Sequence, residues 1–215
     1  MSTKSAAIVV SAGRGARYGG LKQLEPFGGR RVVDISLAVA AKSVQYVVCV
    51  KVPGIDFGDL EADAVTDGGA TRSDSVRAGL LMLPRDIEFV LIHDAARPLA
   101  TAALYKRILA RLQEGSEAVI PVVGIADTVK EIIHNEVVAT LDRSRLYRVQ
   151  TPQGFRRSVL ELAYQSDGTA TDDSQLVEEL GVTVDAVPGE QNNFKITTIA
   201  DLERAKELLE RDAIS

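Results

Sequence analysis

A chain of 215 residues has room for one generous domain, residues 1–215, with a core that needs no disulfide or metal to hold it. Lys and Arg number 25 and Asp and Glu 30, a formal net charge of −5 without long like-charged blocks, which gives no electrostatic case for nucleic acid or an anionic membrane as a partner. Cys49, the only cysteine, lies in an apolar run as a small core residue, the N-terminal apolar run is too short for a signal segment, and no stretch approaches the ~20 apolar residues of a membrane span, so a soluble cytoplasmic protein is expected.

Ala6 to Val10 is a β-branched run that reads as a buried strand, and it empties directly into SAGRGARYGGLK. Gly13, Gly15, Gly19 and Gly20 let the backbone approach an anion with its N–H groups, and Arg14, Arg17 and Lys22 add three positive charges. Such a loop suits a polyphosphate. A P-loop is excluded because no Gly-Lys-Ser/Thr follows. The dinucleotide reading is weak: the third glycine of G-x-G-x-x-G arrives one place late, at Gly19, and the second strand ends at Lys51 rather than on an acidic residue. A nucleotidyltransferase loop is the third reading, and a merely solvated basic loop explains any one of these cations better than all of them together.

Downstream, apolar spacing predicts a helix over residues 31–43, a strand over 44–50, a break at Pro53-Gly54 and a third strand over 64–66. After the Gly68-Gly69 turn, Ser73 or Asp74 is the expected cap of a helix that Pro84 stops near Leu83. Residues 89–93 form a strand ending on Asp94-Ala95-Ala96-Arg97-Pro98, followed by a helix over 102–113 and a strand over 118–123. This alternation argues for an α/β fold, a mostly parallel sheet with helices on both faces and ligands at the carboxyl ends of the strands. Between residues 128 and 150 the pattern changes to short alternating pieces with an Asn135-Glu136 turn, a protruding β-arm whose apolar residues need the parent sheet or a second subunit. Helices over 156–165 and 173–180, strands over 182–187 and 194–196, and an amphipathic helix over 199–211 complete the chain.

Asp94 follows a buried strand and is a candidate for binding Mg²⁺ or a substrate hydroxyl, and as readily a cap of the turn it begins. Arg97 is a candidate for a substrate phosphate, His93 reads as packed, and His134 has no identifiable partner. Asp127-Thr128, Asp142-Arg143 and Thr151-Pro152-Gln153 are polar islands that singly would be ordinary turns, and Lys195 between Phe194 and Ile196 reads singly as a lysine at a strand end.

In order, VVSAGRGARYGGLKQ, DGGATRSDSVRAGL, VLIHDAARP, Asp127-Thr128-Val129-Lys130, LDRSRLYRVQTPQGF, TATDDSQLVEELG and NNFKIT span essentially the whole chain. The series resembles the 2-C-methyl-D-erythritol 4-phosphate cytidylyltransferases of the nonmevalonate isoprenoid pathway. The resemblance implies a Rossmann-like, nucleotide-diphospho-sugar transferase-like fold, a homodimer in which the β-arm exchanges contacts, and formation of CDP-methylerythritol and pyrophosphate from CTP and methylerythritol phosphate with Mg²⁺. It also implies that Arg17 and Lys22 stabilise the charge of the triphosphate, that Ser11, Ala12 and Gly13 wrap the nucleotide, and that Gly69, Ala70 and Ser75 surround the cytosine and ribose. Asp94, Arg97, Thr128, Arg143, Thr151, Thr171 and Lys195 match the acceptor side, with Arg143 and Lys195 positioning the attacking phosphate and Asp94 nearest the metal. The first motif departs from the family's usual Pro-Ala-Ala-Gly by reading Val-Ser-Ala-Gly, which a backbone contact tolerates. Two alternatives stay open: a cytidylyltransferase for another polyol phosphate such as ribitol 5-phosphate, and a nucleotide-binding subunit without catalysis.

Overall fold

The structure, a computed structural model, describes residues 4–15, 17–165 and 172–214. In chain order the first half carries β1 (Ser5–Ser11), β2 (Pro26–Phe27), β3 (Arg30–Arg31), α1 (Val32–Ala41), β4 (Tyr46–Lys51), β5 (Ala64–Asp67), α2 (Arg72–Leu80), β6 (Phe89–Asp94) and α3 (Ala102–Gln113). The second half carries β7 (Ala118–Gly124), β8 (Val129–Ile133), β9 (Glu136–Leu141), β10 (Tyr147–Val149), β11 (Gln153–Arg156), α4 (Arg157–Ala163), α5 (Asp173–Glu178), β12 (Val184–Pro188) and α6 (Ile199–Ile214).

The main sheet runs β7–β11–β6–β1–β4–β5, with β10 and β12 also paired to β7. β1 is central because both of its faces are apolar. Ala7 and Val9 pack with Val33 and Leu37 of α1 and Leu104 of α3, while Ala6 and Ile8 pack with Val76 of α2, Leu160 of α4 and Leu176 of α5. A strand period of two, apolar at every position, therefore sets the two helical layers. β1 pairs parallel with β4 and β6, and β4 with β5, so the carboxyl ends of these strands open on one edge.

Between β6 and β7 the sheet turns mixed. β11 enters antiparallel to both, over a segment whose sequence predicts a polar turn and then a helix start. Gly154 makes this possible: a Cβ there would lie 2.3 Å from Cγ2 of Ile108, so α3 rests directly on the backbone of β11. Residues 194–196 are not a strand; Ile196 gives one backbone bond, N–H to the Ala96 carbonyl at 2.8 Å, and its side chain is buried beside Phe27, Leu202 and Ala205.

α2 begins earlier than expected, because Thr71 rather than Ser73 or Asp74 is its cap. Thr71 Oγ1 accepts the Asp74 N–H and the Asp74 carboxylate accepts the Thr71 N–H, both at 3.0 Å, a reciprocal capping box. β8 and β9 pair only with each other, as a hairpin apart from the main sheet, and β10 then rejoins that sheet antiparallel to β7. The turn of this hairpin lies at His134 and Asn135, both with positive φ (49° and 66°), one place earlier than the Asn-Glu pair expected from the sequence. Ile132 and Val137 on it are 60% and 61% exposed.

Candidate active site

At the carboxyl ends of β1 and β6 lies a cleft of about 730 Å³, walled by the loop after β1, the β5–α2 loop and the segment before α6. The first wall is shaped by its own hydrogen bonds. Gln23, buried, donates Nε2 to the carbonyls of Ser11 (2.9 Å) and Gly13 (3.0 Å) and so ties the glycine loop to its own start. The Tyr18 and Gly19 N–H groups both donate to the Gly15 carbonyl at 2.8 Å, and the position requires glycine, since φ is positive (65°) and a Cβ would meet the Gly20 carbonyl oxygen at 2.0 Å. Tyr18 is packed against the cluster beneath α6, which anchors the tip.

The second wall approaches the first at van der Waals contact: a Cβ on Gly68 would lie 2.3 Å from the Ala12 Cβ. Ser75 accepts the Gly69 N–H at 3.2 Å and donates to the Thr71 carbonyl at 3.0 Å, so its hydroxyl holds this loop open beside Ala70. Ser11, Ala12, Gly13, Gly69, Ala70 and Ser75, assigned to the nucleotide on sequence, thus face one another across the same space.

Among the described residues, five cations line the cleft, Arg14, Arg17, Lys22, Arg72 and Lys195, against a single carboxylate, Asp94. Lys195 Nζ donates to Asp94 Oδ2 at 2.6 Å and Arg72 Nε to Oδ1 at 3.1 Å. Arg72 also donates Nη1 and Nη2 to Asp173 at 2.9 and 2.8 Å, and the Tyr164 hydroxyl donates to Asp173 from the other side. Burial alone would raise the Asp94 carboxyl, but Arg72 and Lys195 outweigh it and hold it far below the usual carboxylate range. Lys22 Nζ donates to the Ile196 carbonyl at 2.6 Å; burial, then the charges of Lys195 and Arg17, push its pKa below that of an ordinary lysine in spite of Asp94. The cleft is built to receive negative charge.

A sequence profile described as 2-C-methyl-D-erythritol 4-phosphate cytidylyltransferase matches residues 5–211. The chain belongs to this cytidylyltransferase family. A relative of that name from Frankia casuarinae is 46% identical, covering 98% of this chain and 83% of its own length, and one from Nocardia farcinica is 44% identical, covering 96% and 94%. Among solved structures, the cytidylyltransferase of Thermus thermophilus superposes with a TM-score of 0.82 at 32% identity, over 98% of this chain and 100% of that one. The 4-diphosphocytidyl-2C-methyl-D-erythritol synthase of Anaerococcus prevotii gives 0.82 at 31%, over 97% and 99%.

Of the acceptor-side residues that the cytidylyltransferase resemblance implies, Asp94 and Lys195 alone among those described line this cleft. Thr151 is buried one layer behind: its Oγ1 accepts the Asp94 N–H at 3.0 Å and lies 3.1 Å from Nδ1 of His93, whose pKa burial lowers to about 4. Arg97 bridges loops instead of facing the cleft, donating Nη1 to the Asn193 carbonyl at 2.8 Å and Nη2 to the Val149 carbonyl at 3.3 Å. Thr128 and Arg143 are exposed on the arm, where Arg143 donates to the Ala126 carbonyl, and neither lines the cleft of its own chain. Thr171 lies outside the described residues.

The donor set does not fit a divalent cation held by the protein. Both oxygens of Asp94 are engaged by cationic side chains, and among the described residues no group of three or more His, Cys, Asp or Glu comes together. Arg72, Gln23 and Asp173 were missed as site residues on sequence. Arg72 sits within the quoted RSDSVRAGL, but its partners lie 22 and 101 residues away, a pairing that spacing cannot show.

Proposed function

We propose that this chain transfers the cytidylyl group of CTP to 2-C-methyl-D-erythritol 4-phosphate, forming 4-diphosphocytidyl-2-C-methyl-D-erythritol and pyrophosphate. The observation that carries the reading is a cleft with five cations and one already neutralised carboxylate, on a chain of this family. An oxygen of the acceptor phosphate attacks the α-phosphorus, the bond between that phosphorus and the bridging oxygen breaks, and the electron pair leaves on pyrophosphate.

The reaction brings two polyanions together, so the work of the protein is positioning and charge neutralisation. Arg17 and Lys22, in and after the glycine loop, face the triphosphate, and Lys195, on the segment before α6 that Lys22 touches, faces the acceptor phosphate. No covalent nucleophile is needed, and neither obvious candidate is poised as one: the Ser11 hydroxyl donates to the Val50 carbonyl at 3.1 Å, and burial pushes the Cys49 thiol up to about 11. A divalent cation enters this reading only as a companion of the nucleotide phosphates, since among the described residues no ligand set gathers around Asp94 to hold it.

The arm belongs to the same proposal. Its exposed apolar residues and the absence of Arg143 from its own cleft are both accounted for if the protein is a homodimer in which the arm crosses to a second copy and brings Arg143 and Thr128 to that copy's acceptor site. No helix among the described residues is long and apolar enough to cross a membrane, and we place the reaction in the cytoplasm with the CTP pool.

Pyrophosphate release measured with each NTP against a panel of polyol phosphates tests the assignment. Release with CTP and methylerythritol phosphate is expected. Preference for ribitol 5-phosphate moves the acceptor, and silence with every pair leaves a nucleotide-binding subunit.

A further inference from the structure

The ion pairs around Asp94 differ in how firmly each end is held. Asp173, at the start of α5, is 0% exposed and is gripped by both Nη groups of Arg72 and by the Tyr164 hydroxyl. Arg72 is itself the first residue of a helix fixed by the Thr71 capping box. At the other end, Lys195 is 37% exposed and touches the 11% exposed Asp94 carboxylate through one nitrogen. The chain Asp173, Arg72, Asp94, Lys195 therefore has a fully buried, multiply bonded end in the core and a partly exposed, singly bonded end in the cleft.

We infer that Arg72 is a positioning residue for the acceptor phosphate: by keeping a second, permanent cation on Asp94, it frees Lys195 to leave that carboxylate for the incoming phosphate. This rests on the cytidylyl-transfer reading. The physical reason is the cost of an unpaired charge. If Lys195 were the sole counter-ion of a carboxylate this shielded, its departure would strand a buried anion, and removing one member of a buried pair is strongly unfavourable. With Arg72 fixed on Oδ1 by a guanidinium already bolted to Asp173, Asp94 keeps its place and its charge whichever partner Lys195 chooses. The planar fork matters, since three separate nitrogens of one side chain reach two carboxylates on different elements, a spread of donors that the single nitrogen of a lysine does not have.

The test uses full-length Arg72→Lys, Arg72→Met and Asp173→Asn proteins, each checked for folding by circular dichroism. Expected for Arg72→Met is a rise of ~10-fold or more in KM for methylerythritol phosphate, the scale of one charge-assisted hydrogen bond. KM for CTP should stay within ~2-fold, and Arg72→Lys and Asp173→Asn should give smaller shifts of the same kind; those two carry the test if Arg72→Met does not fold. Adding Asp94→Asn should cost less on the Arg72→Met background than on wild type, because the group that traps Lys195 is then already a liability. Equal losses toward CTP, or strictly additive Asp94 and Arg72 effects, overturn the inference. The hold on Asp94 is also readable without turnover, as the titration of its carboxyl followed by ¹³C NMR and assigned through Asp94→Asn. In Arg72→Met the midpoint should move up toward the ordinary range near ~3.9. An unmoved midpoint sinks the inference and leaves the cytidylyl-transfer reading standing, whereas a moved midpoint together with a wild type that turns over no substrate pair sinks that reading and leaves only the hold of Arg72 on Asp94.

Discussion

Lys22 is the residue at which charge, burial and chemistry meet. Its ammonium rests on the Ile196 carbonyl, adjacent in sequence to Lys195, so the two lysines of the cleft share one short segment although 173 residues of numbering separate Lys22 from Lys195. Truncating either Lys22 or Arg17 to Ala should cut turnover by ~10²-fold or more with the fold intact, the size of one lost donor to developing charge; near wild-type rates would remove these residues from the mechanism. The pH dependence follows from the direction of the Lys22 shift. Burial, then Lys195 and Arg17, lower its pKa below the ordinary 10.5, so the charged form that the proposed triphosphate contact needs is lost at lower pH than for an exposed lysine. In stability terms the fold disfavours the charged form at neutral pH, and that penalty is relieved as pH climbs from the depressed value toward 10.5. The alkaline limb of kcat/KM for CTP, which reports the free enzyme, should therefore fall below the usual lysine range. Replacing Lys22 by Arg should remove that limb, and a limb that survives the change belongs to another group. On sequence alone Lys22 was legible as a cation of the cleft because four glycines and two arginines stood beside it. Arg72 was not, because the two carboxylates that define its role come from β6 and α5, and no local pattern announces a pairing across 101 residues.

Elements were legible where burial alone dictates them. β1, β4 and β6 are apolar at nearly every position and could only be central strands, and the helices between them follow from the need to cover both faces. Where a segment is short and its neighbours decide its state, the sequence carried less. β11 contains four residues and is a strand because β6 and β7 offer it partners on both sides. Residues 194–196 look equally apolar and remain irregular, for a single backbone bond fastens them to Ala96 while Arg204 covers the Phe194 ring at 4.6 Å. The arm turn was misplaced by one residue because Asn-Glu is a fair turn pair in isolation, yet the paired register of Ile133 with Glu136 leaves His134 and Asn135 as the two central residues. Gly154 gives the element argument a direct check. Since a Cβ there meets Ile108 at 2.3 Å and Leu112 at 3.0 Å, Gly154→Val should force α3 off the sheet and cost ~1–3 kcal/mol in urea unfolding. A neutral result would mean that α3 yields freely, and β11 would lose its role as the seat of that helix.

At the scale of the whole molecule, a cleft that lacks Arg143 stands against an arm whose strands β8 and β9 pair only with each other. The cleft holds the loop cations, Asp94 and Lys195, while Arg143 stands exposed at the base of the arm and Ile132, Ile133, Val137 and Val138 toward its tip are apolar and half or more exposed. The proposed exchange of arms between two chains would account for both features, and its geometry has a numerical consequence. Take one population carrying Lys195→Ala and another carrying Arg143→Ala, each expected to turn over slowly alone. In a mixed dimer, the cleft of the Arg143→Ala chain keeps its own Lys195 and receives an intact Arg143 from the partner, whereas the other cleft loses both. Random reassortment makes about half of the dimers mixed, each with one intact site of two, so activity should return to about a quarter of wild type. If each site instead used the arm of its own chain, no mixture could contain an intact site, and activity would stay at the level of the separate variants. Sedimentation of the mixture fixes the dimer fraction, so a failure of the chains to associate is distinguished from association without exchange. The same experiment run with Val137→Asp in both populations should abolish the recovery, because a charge in the apolar arm would remove the contact proposed between the two copies.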